Sequence, residues 1–371
     1  MRIAVPKEIK NHEYRVGLTP ASVQELVLQG HEVWVQTGAG AGIGLGDDQY
    51  TAAGAHIAAD ADQVFACGDL VIKVKEPQPE EIRRLRQGQM LYTYLHLAPD
   101  AAQTAGLVAS GAVCIAYETV TGASGGLPLL APMSEVAGRM AVQAGATHLE
   151  KSKGGLGMLL GGVPGVAPAR VVVLGAGVVG TNALQMAVGL GAQVTVIDRN
   201  IDRLRQLDLV LGNRITTVFS TAHAVEDAVL GADLVIGGVL IPGASAPKLV
   251  SRAMVARMKP GAVVVDVAID QGGCFETSHA TTHADPTYLV DGVVHYCVAN
   301  MPGAVPRTST FALNNATIGH ALALARLGWR DAMRADPHLR AGLNVALGQV
   351  TYAAVAAQHG LPFVPADQVI G

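Results

Sequence analysis

The chain has 371 residues, a length that allows two domains of ordinary size, each with its own core. Half of the residues are apolar, 15% are charged, and the formal net charge is -4. A chain with no basic excess is poorly suited to neutralising a phosphate backbone, so its composition excludes a nucleic-acid partner.

The N-terminal third of the chain alternates short apolar runs with helical patterns. A helix is predicted over Ala21–Gln29, because Thr19 is a good N-cap and Pro20 a good first helical residue. Strands that alternate with helices indicate βαβ units and a parallel sheet. The predicted strands of this first series are Arg2–Val5, His31–Val35, Leu70–Lys73, Met90–Tyr94 and Ala112–Ala116.

A second series of strands begins at Arg170, after long helical stretches and a glycine-rich segment, Gly154–Gly165. Its strands are near-continuous runs of Val, Ile and Leu, as expected for parallel strands that are covered on both faces. The predicted strands are Val171–Leu174, Gln193–Ile197, Leu234–Gly237, Ala262–Val267 and Val293–Val298.

The C-terminal segment shows no strand pattern after Pro306, and residues 313–358 are predicted to form helices rich in Ala and Leu. A segment this apolar must pack on something, and we expect it to pack back on the first domain. The sequence therefore predicts an α/β protein with two Rossmann-like domains. Residues 1–128 plus 306–371 form the first, completed by the C-terminal helical segment, and residues 129–305 form the second.

The uncharged stretch 171–197 is long enough to cross a membrane, but glycines interrupt it and Asn182 and Gln185 lie inside it. A buried strand, a glycine turn and a buried helix explain it better, so no membrane partner is expected. None of the four cysteines falls in a C-x-x-C pair, and the N-terminus has no apolar signal core. We expect a reduced, cytoplasmic protein, and the apolar composition favours a homo-oligomer.

The strongest local motif is a glycine turn between a predicted strand and a predicted helix. Gly175 permits the tight turn, Gly177 lets the backbone approach a pyrophosphate, and Gly180 lets the helix lie close to the strand. The free N–H groups of the helix would face the phosphates. Asp198 ends the next strand, where a carboxylate accepts hydrogen bonds from ribose hydroxyls and repels a 2′-phosphate. The motif predicts a dinucleotide site that prefers NAD, although Arg199 follows the acid.

Four polar residues lie near the carboxyl ends of predicted strands, where ligands bind in open parallel sheets. Arg15 is suited to gripping a carboxylate, and Lys75 to binding a carboxylate or a keto oxygen. His96 has an ordinary pKa suited to proton transfer near neutrality, and Asp270 is placed to balance charge near a nicotinamide. Spacing alone leaves structural roles equally open, namely salt bridges for Arg15 and Lys75, a satisfied histidine for His96 and a loop-capping acid for Asp270.

A family resemblance is carried by long motifs that run the length of the chain without a large insertion. They are Pro6–Val16 (PKEIKNHEYRV), Lys73–Pro77 (KVKEP), Tyr94–Ala98 (YLHLA), Ala131–Glu135 (APMSE), Asp266–Glu276 (DVAIDQGGCFE) and His295–Thr310 (HYCVANMPGAVPRTST). On these motifs the sequence resembles bacterial alanine dehydrogenase, in the alanine dehydrogenase and transhydrogenase NAD-subunit family.

The resemblance implies NAD-dependent oxidation of L-alanine to pyruvate and ammonium, and the reverse reaction, in an enzyme that is usually a hexamer. It implies that Arg15 and Lys75 bind the substrate, that His96 and Asp270 carry the acid–base work, and that alanine binds on the first domain and NAD on the second, with a cleft between them. Besides the three glycines, the cofactor-lining residues it implies are Ser134, Val178, Asp198, Arg203, Ser220, Val239, Leu240, Val267, Ala268, Ile269, Asp270, Val298, Ala299, Asn300 and Met301.

Two histidines need separate comment, one as a departure from the family pattern and both as possible metal ligands. The family often has an arginine at the position of His279, near the adenosine end of the cofactor. His279 and His283 stand four residues apart, a spacing that holds a metal on a helix, but β-branched residues and a nearby proline argue against that helix. No metal is therefore predicted. The charge run over residues 7–13 is predicted to be a solvated loop that positions Arg15.

Three other functions compete with this hypothesis. The NAD-binding subunit of a proton-translocating transhydrogenase resembles the chain in both domains, but it has no use for the set of Arg15, Lys75, His96 and Asp270. A dehydrogenase for another amino acid, or an opine-forming enzyme, would share most of the site. A non-catalytic NAD-binding regulatory protein would share only the glycine turn.

Overall fold

The computed structural model describes residues 1–239 and 246–371. Over these residues the chain divides into two compact units, one made of Met1–Met133 with Val305–Gly371 and the other of Ser134–Ala304. Each unit has its own mostly parallel β-sheet with helices in the connections. The predicted α/β class with two Rossmann-like sheets is confirmed.

The N-terminal part of the first unit alternates strands and helices in βαβ order. Its first helix begins at Pro20, and the Thr19 hydroxyl caps it by accepting the backbone N–H of Ser22, as predicted. The strands are β1 (Arg2–Val5), β2 (Glu32–Gln36), β3 (His56–Ala58), β4 (Leu70–Ile72), β5 (Met90–Thr93) and β6 (Val113–Ala116), and the helices are α1 (Pro20–Leu28), α2 (Asp47–Ala52), α3 (Ala61–Cys67), α4 (Pro79–Ile82) and α5 (Ala101–Ser110).

The second unit carries a seven-stranded sheet in the order β12-β13-β11-β10-β7-β8-β9, parallel except for the β12–β13 hairpin. The central strands are buried throughout, because helices cover both faces of a doubly wound sheet. The strands are β7 (Arg170–Leu174), β8 (Gln193–Asp198), β9 (Ile215–Phe219), β10 (Leu234–Gly237), β11 (Val263–Asp266), β12 (Thr287–Val290) and β13 (Val293–Tyr296), and the helices are α6 (Ala131–His148), which begins just before the unit boundary, α7 (Val178–Gly189), α8 (Ile201–Leu211), α9 (Ala222–Gly231) and α10 (Arg252–Val255).

The C-terminal segment belongs to the first unit. The Asn314 amide donates to the Gly17 carbonyl and accepts the Thr19 N–H, which fixes the long helix against the loop after β1. The elements of this segment are α11 (Pro306–Ala335, interrupted at Gly328 where φ is +73°), α12 (Pro337–Arg340), β14 (Leu343–Ala346), β15 (Gln349–Val350), α13 (Ala353–His359) and α14 (Ala366–Ile370).

The prediction that no strand follows Pro306 is wrong. β14 pairs antiparallel with β6, and β15 pairs antiparallel with β14, so the first sheet has eight strands in the order β15-β14-β6-β5-β4-β1-β2-β3. Asn344 interrupts the four-residue strand β14, and β15 has only two residues, so neither strand forms a continuous apolar run in the sequence. They form because the exposed edge of β6 offers unpaired backbone groups.

The position of β1 decides where a ligand would bind on the first sheet. Strand β2 lies on one side of β1 and β4 lies on the other. The strand order therefore reverses at β1, and the connections after β1 and after β3 run in opposite directions across the sheet. In the second unit β7 has the same place, between β8 and β10. In open α/β sheets the crevice for a ligand opens beyond the carboxyl ends of the strands at such a point.

Candidate active site

The first sheet places the polar residues predicted from the sequence a few positions past their strands. Arg15 lies in the loop after β1, Lys75 three residues after β4, and His96 three residues after β5. All three follow parallel neighbouring strands, so they lie at one edge of the sheet. The polar residues thus stand in the loops beyond the strand ends, where side chains can converge on a small ligand.

Lys75 and His96 meet at Glu76. The Lys75 ammonium lies 3.4 Å from Glu76 Oε2, and His96 Nδ1 lies 3.7 Å from the same oxygen. The other oxygen of Glu76 pairs with Lys10. The side chains of Lys75 and Glu76 are largely buried, whereas that of His96 is 42% exposed. One carboxylate therefore holds a basic side chain and an imidazole together while the imidazole stays accessible.

The ring of His96 packs against Tyr94. The two ring centroids are 5.7 Å apart, with the planes inclined by 28°. The Tyr94 hydroxyl donates to the Leu129 carbonyl across 2.6 Å, and burial raises the pKa of Tyr94 well above its usual value. Tyr94 therefore stays neutral, and its ring is a rigid packing surface for the imidazole.

Arg15 is buried and already forms a bidentate pair. Its Nε and Nη2 donate to the two oxygens of Glu13 at 2.6 and 2.5 Å, and Nη1 lies 3.0 Å from the Met133 sulfur. Burial opposes the charge of Arg15, but the hydrogen bonds and charge of Glu13 outweigh it and keep the pKa above its usual value. The guanidinium is thus held rigid and charged, with its Nη1 side turned away from Glu13.

The prediction that residues 7–13 form a solvated loop is wrong for both acids of this segment. Glu13 is buried against Arg15, and Glu8 is buried against Lys73. Lys73 is fully buried between Glu8 at 2.9 Å and Glu81 at 2.7 Å. Burial raises the pKa of Glu8, and the charge of Lys73 opposes that rise. The acids are buried because each meets a cation from the chain, which a run of charges in the sequence does not reveal.

The Lys73 cluster also supports the backbone at Lys75. Glu8 Oε1 accepts the Val74 N–H at 2.7 Å and the Lys75 N–H at 3.3 Å. The Tyr117 hydroxyl donates to the Lys73 carbonyl across 3.0 Å. The segment that carries Lys75 is therefore fixed from both sides by buried polar groups.

In the second unit the glycine turn has the geometry that the motif predicts. Gly175 has φ of +95°, a left-handed value that favours glycine. A Cβ at Gly180 would lie 1.8 Å from the Gly175 carbonyl oxygen, so only glycine lets α7 approach β7 this closely. A Cβ at Gly177 would meet no atom within 4 Å, so the space beside the turn is open to a ligand. α7 begins at Val178, directly after it.

Two side chains clamp this turn through one residue. The Ala176 N–H donates to Asp198 Oδ2 at 2.6 Å, and Arg203 Nε donates to the Ala176 carbonyl at 2.8 Å. Arg203 Nη2 also donates to the Thr181 hydroxyl at 2.6 Å, and Asp198 Oδ1 accepts the Asn200 N–H at 2.7 Å. Asp198 and Arg203 therefore lie at the turn and hold its backbone in place.

Asp270 lies in a turn of 3-10 helix, Val267–Gln271, beyond β11, and is exposed. Asp266, the last residue of β11, is buried and accepts the Cys274 N–H at 2.9 Å and the Ser278 hydroxyl at 2.6 Å. Burial raises the pKa of Asp266. The strand end and the loop after the turn are thus tied together, which fixes the turn that carries Asp270.

The remaining predicted cofactor residues of this unit lie in loops or at helix starts. Ser220 directly follows β9, and its N–H donates to the Asp198 carbonyl at 3.0 Å. Asn300 has φ of +68°, and its carbonyl accepts the Gly303 N–H at 2.9 Å. Ser134 lies in the first turn of α6. The other members are Val239 after β10, Val267, Ala268 and Ile269 in the 3-10 turn, and Val298, Ala299 and Met301 after β13, while Leu240 lies outside the described residues.

The two histidines that suggested a metal have other contacts. The ring of His279 stacks on Tyr288 with centroids 3.7 Å apart, and His283 Nε2 lies 3.0 Å from the Asn300 carbonyl oxygen. Among residues 1–239 and 246–371, no group of three or more His, Cys, Asp or Glu side chains is arranged to hold a metal ion.

Sequence reasoning missed three residues that organise the first unit's site: Glu13, Glu76 and Glu118. Glu118 accepts the N–H of both Leu95 and His96, and it lies two residues past β6. Functional side chains in open parallel sheets follow the carboxyl ends of the strands. This rule was applied to β5, and applied to β6 it predicts Glu118. Glu76 directly follows Lys75, and its contacts could be seen only after folding.

A glycine turn clamped by an acid at the end of the next strand is typical of dinucleotide-binding α/β proteins. Comparison with known families agrees. The N-terminal domain of the family described as alanine dehydrogenase/PNT matches residues 4–137, and its C-terminal domain matches residues 141–353. The chain belongs to the alanine dehydrogenase/PNT family.

Individual relatives cover the whole chain. The alanine dehydrogenase of Halomonas elongata is 63% identical over 371 residues, with all of both chains covered. A solved L-alanine dehydrogenase has a TM-score of 0.94 and 51% identity, covering 97% of this chain and 99% of that one. A transhydrogenase from Sinorhizobium meliloti has a TM-score of 0.81 and 27% identity, covering 95% and 100%. The predicted resemblance to bacterial alanine dehydrogenase is confirmed, as is the prediction of an enzyme.

The hydropathy of the helices was compared with that of membrane-spanning segments. None of the helices in the described ranges combines the length and the apolar character needed to cross a lipid bilayer.

Proposed function

We propose that the chain catalyses the NAD-dependent oxidative deamination of L-alanine to pyruvate and ammonia, and the reverse reductive amination, through an imine and a carbinolamine. The observation that carries the proposal is the meeting of Lys75 and His96 at one oxygen of Glu76, at the edge of the first sheet. A fixed cation beside an accessible imidazole suits a substrate with a carboxylate and a group that exchanges protons. The 63% identity to an alanine dehydrogenase supports alanine as that substrate.

The substrate carboxylate would bind to Arg15 and Lys75. Arg15 is held by Glu13 on its Nε edge, so the Nη1 side, next to Met133, is the side that would face a carboxylate. Lys75 would bind the second carboxylate oxygen or the keto oxygen of pyruvate. Two fixed cations favour an anionic 2-amino or 2-keto acid and set its orientation.

The protons would be handled by His96 and Asp270. His96 is accessible, and its ring is oriented by Tyr94 and Glu76, as a general acid or base requires. Water attacks the imine carbon to give the carbinolamine, and one proton of that water passes to the imidazole. The imidazolium returns that proton to the amino group as ammonia leaves, and the imidazole then takes the hydroxyl proton of the carbinolamine as the carbonyl of pyruvate forms. Asp270 would balance the positive charge that develops.

The cofactor site would lie at the glycine turn of the second unit, along the residues predicted from the sequence. The open space beside Gly177 and the clamp of Asp198 and Arg203 on Ala176 fit a dinucleotide. NAD supplies the hydride acceptor. A carboxylate at the ribose position repels a 2′-phosphate, so we propose NAD and not NADP.

Hydride transfer can be followed directly with L-alanine deuterated at Cα. The purified chain with NAD should form deuterated NADH, pyruvate and ammonium in equal amounts, and D-alanine is the control. Deuterium released to solvent, or no product, would contradict the proposal. A rate with another amino acid far above that with alanine would favour the related dehydrogenases, and hydride exchange between NADH and an NADP analogue would favour a transhydrogenase.

We also propose that the chain is a cytoplasmic homo-oligomer, a hexamer by family resemblance. Apolar side chains exposed on the isolated chain, such as Leu209 at 85% and Val166 at 62%, support burial against other subunits. Sedimentation of the purified chain tests the subunit count.

A further inference from the structure

The backbone of His96 has an unusual conformation. Its φ is +48°, in the left-handed region that side chains other than glycine rarely adopt. Such a residue persists only where the surroundings determine its conformation, and these residues gather at functional sites. The chain must therefore contain an interaction that holds His96 in this conformation, which also sets the direction of its ring.

Glu118 supplies that interaction. Its Oε1 accepts the His96 N–H at 2.6 Å and the Leu95 N–H at 3.1 Å, and its Oε2 lies 3.2 Å from the Leu95 nitrogen. Two consecutive N–H groups that point to one carboxylate form a concave anion site, and this arrangement needs residues of turn-like conformation. The short bond to His96 is a charge-assisted one, stronger than a bond between neutral groups.

The topology explains why Glu118 reaches His96. Strands β5 and β6 are parallel neighbours, with Thr93 paired to Ala116. His96 lies three residues past the end of β5, and Glu118 lies two residues past the end of β6, in the turn Tyr117–Thr119. The carboxylate thus comes from the neighbouring strand and meets the backbone of the histidine, while Glu76 and Tyr94 contact its ring.

We propose that Glu118 is a positioning residue for His96: it holds the left-handed backbone of the histidine and so aims the imidazole at the substrate. The inference rests on the proposed function, in which His96 transfers protons. Glu118 itself touches the Leu95 and His96 backbone and does not exchange protons with the substrate.

Two substitutions weaken the interaction of Glu118 with the His96 backbone to different extents. Glu118→Gln keeps one acceptor oxygen but loses the charge, and Glu118→Ala removes both. We expect kcat to fall about 10²-fold in the alanine variant and less in the glutamine variant, because small displacements of a catalytic group cost that much. The KM for NAD should change less than about twofold. Glu25→Gln, on the exposed face of α1, is the matched control and should match wild type.

A double-mutant cycle separates positioning from general loosening of the fold. Added to His96→Ala, Glu118→Gln should lower the remaining turnover by less than about twofold, because its effect passes through the imidazole. An equal further loss in that background, or unchanged kcat in Glu118→Gln alone, would overturn the proposal.

Amide hydrogen exchange, read by mass spectrometry over residues 94–97, tests the positioning without any turnover. Exchange should speed up in Glu118→Gln and remain at the wild-type rate in Glu25→Gln. Unchanged exchange would refute the role of Glu118 even in an active enzyme. Faster exchange in a chain that fails to oxidise alanine would leave the positioning intact and refute the proposed function instead.

Discussion

The backbone N–H of Ala176 donates to Asp198 Oδ2 across 2.6 Å. The residue predicted to select the cofactor therefore also holds the glycine turn on which the pyrophosphate would lie. Asp198 Oδ1 accepts the Asn200 N–H, so both oxygens of the carboxylate support the backbone. Each carboxylate oxygen has a second lone pair for a ribose hydroxyl. In the proposed NAD site, cofactor choice and turn geometry would thus depend on the same side chain.

Asp198→Ala should weaken NAD binding by about 1.5–3 kcal/mol, through loss of a charge-assisted hydrogen bond. It should also improve NADP use relative to NAD, because the repulsion of the 2′-phosphate disappears. Asp198→Asn separates the two effects, since it keeps an acceptor for the turn but loses the charge. Steady-state kinetics with both cofactors measure them. If both variants weakened the two cofactors equally, Asp198 would act on the turn alone.

Arg15→Lys should raise the KM for alanine and pyruvate by roughly 10- to 100-fold, with a smaller effect on NAD. Lysine keeps the charge, but a single ammonium cannot bridge both oxygens of Glu13 and also grip a carboxylate. Arg2→Lys is the matched control, since Arg2 forms an exposed pair with Asp69. Unchanged substrate constants in Arg15→Lys would place Arg15 outside the site.

Lys73→Met should cost about 3–5 kcal/mol of the free energy of unfolding, because it leaves Glu8 and Glu81 buried without their cation. Arg84→Met removes one partner of the pair with Asp62, which is 79% exposed, and should cost about 0–1 kcal/mol. Denaturant titration of both variants gives the comparison. Equal small losses would show that the buried cluster contributes little to stability.

His295 should make the stability of the second unit depend on pH. Burial lowers the pKa of His295 below 6.5, and its two ring nitrogens face the Thr277 hydroxyl and the Val293 carbonyl. The neutral ring therefore contributes stability above pH 6.5. That contribution is lost as pH falls below this value, by at most about 1.4 kcal/mol per pH unit, because the unfolded chain takes up the proton first.

Melting temperatures of the wild type and His295→Gln test this coupling. The advantage of the wild type should shrink between pH ~7.5 and pH ~5.5, the range over which an ordinary histidine gains its charge. His223→Gln, at an exposed position of α9, should show a constant difference from wild type. A constant difference for His295→Gln as well would contradict the coupling.

The sequence was most informative where a strand is a nearly continuous run of apolar residues. Arg2–Val5 and Leu234–Gly237 were predicted with the observed bounds, because continuous apolar runs have no other stable place than a covered sheet. His56–Ala58 and Gln349–Val350 were missed, since strands of three and two residues carry no periodic signal. They form because a neighbouring strand edge is available, which is a property of the tertiary fold.

The candidate site divides in the same way. The glycine turn and Asp198 have a fixed spacing, so local chemistry predicts them. Glu118 and Glu76 act through contacts with His96 that depend on how β4, β5 and β6 lie side by side. Glu13 looked like part of a solvated charge run, yet it is buried because Arg15 is its partner. Pairwise burial of opposite charges is the part of the site that the sequence did not reveal.

Formation of NADH by the purified chain from L-alanine and NAD, with no other protein added, tests the central claim most directly. The account predicts sustained turnover in the wild type and a loss of about 10²- to 10⁴-fold in His96→Ala, with NAD binding retained. Absence of NADH formation by a folded wild type that binds NAD, or near-normal turnover of His96→Ala at saturating alanine, would contradict it.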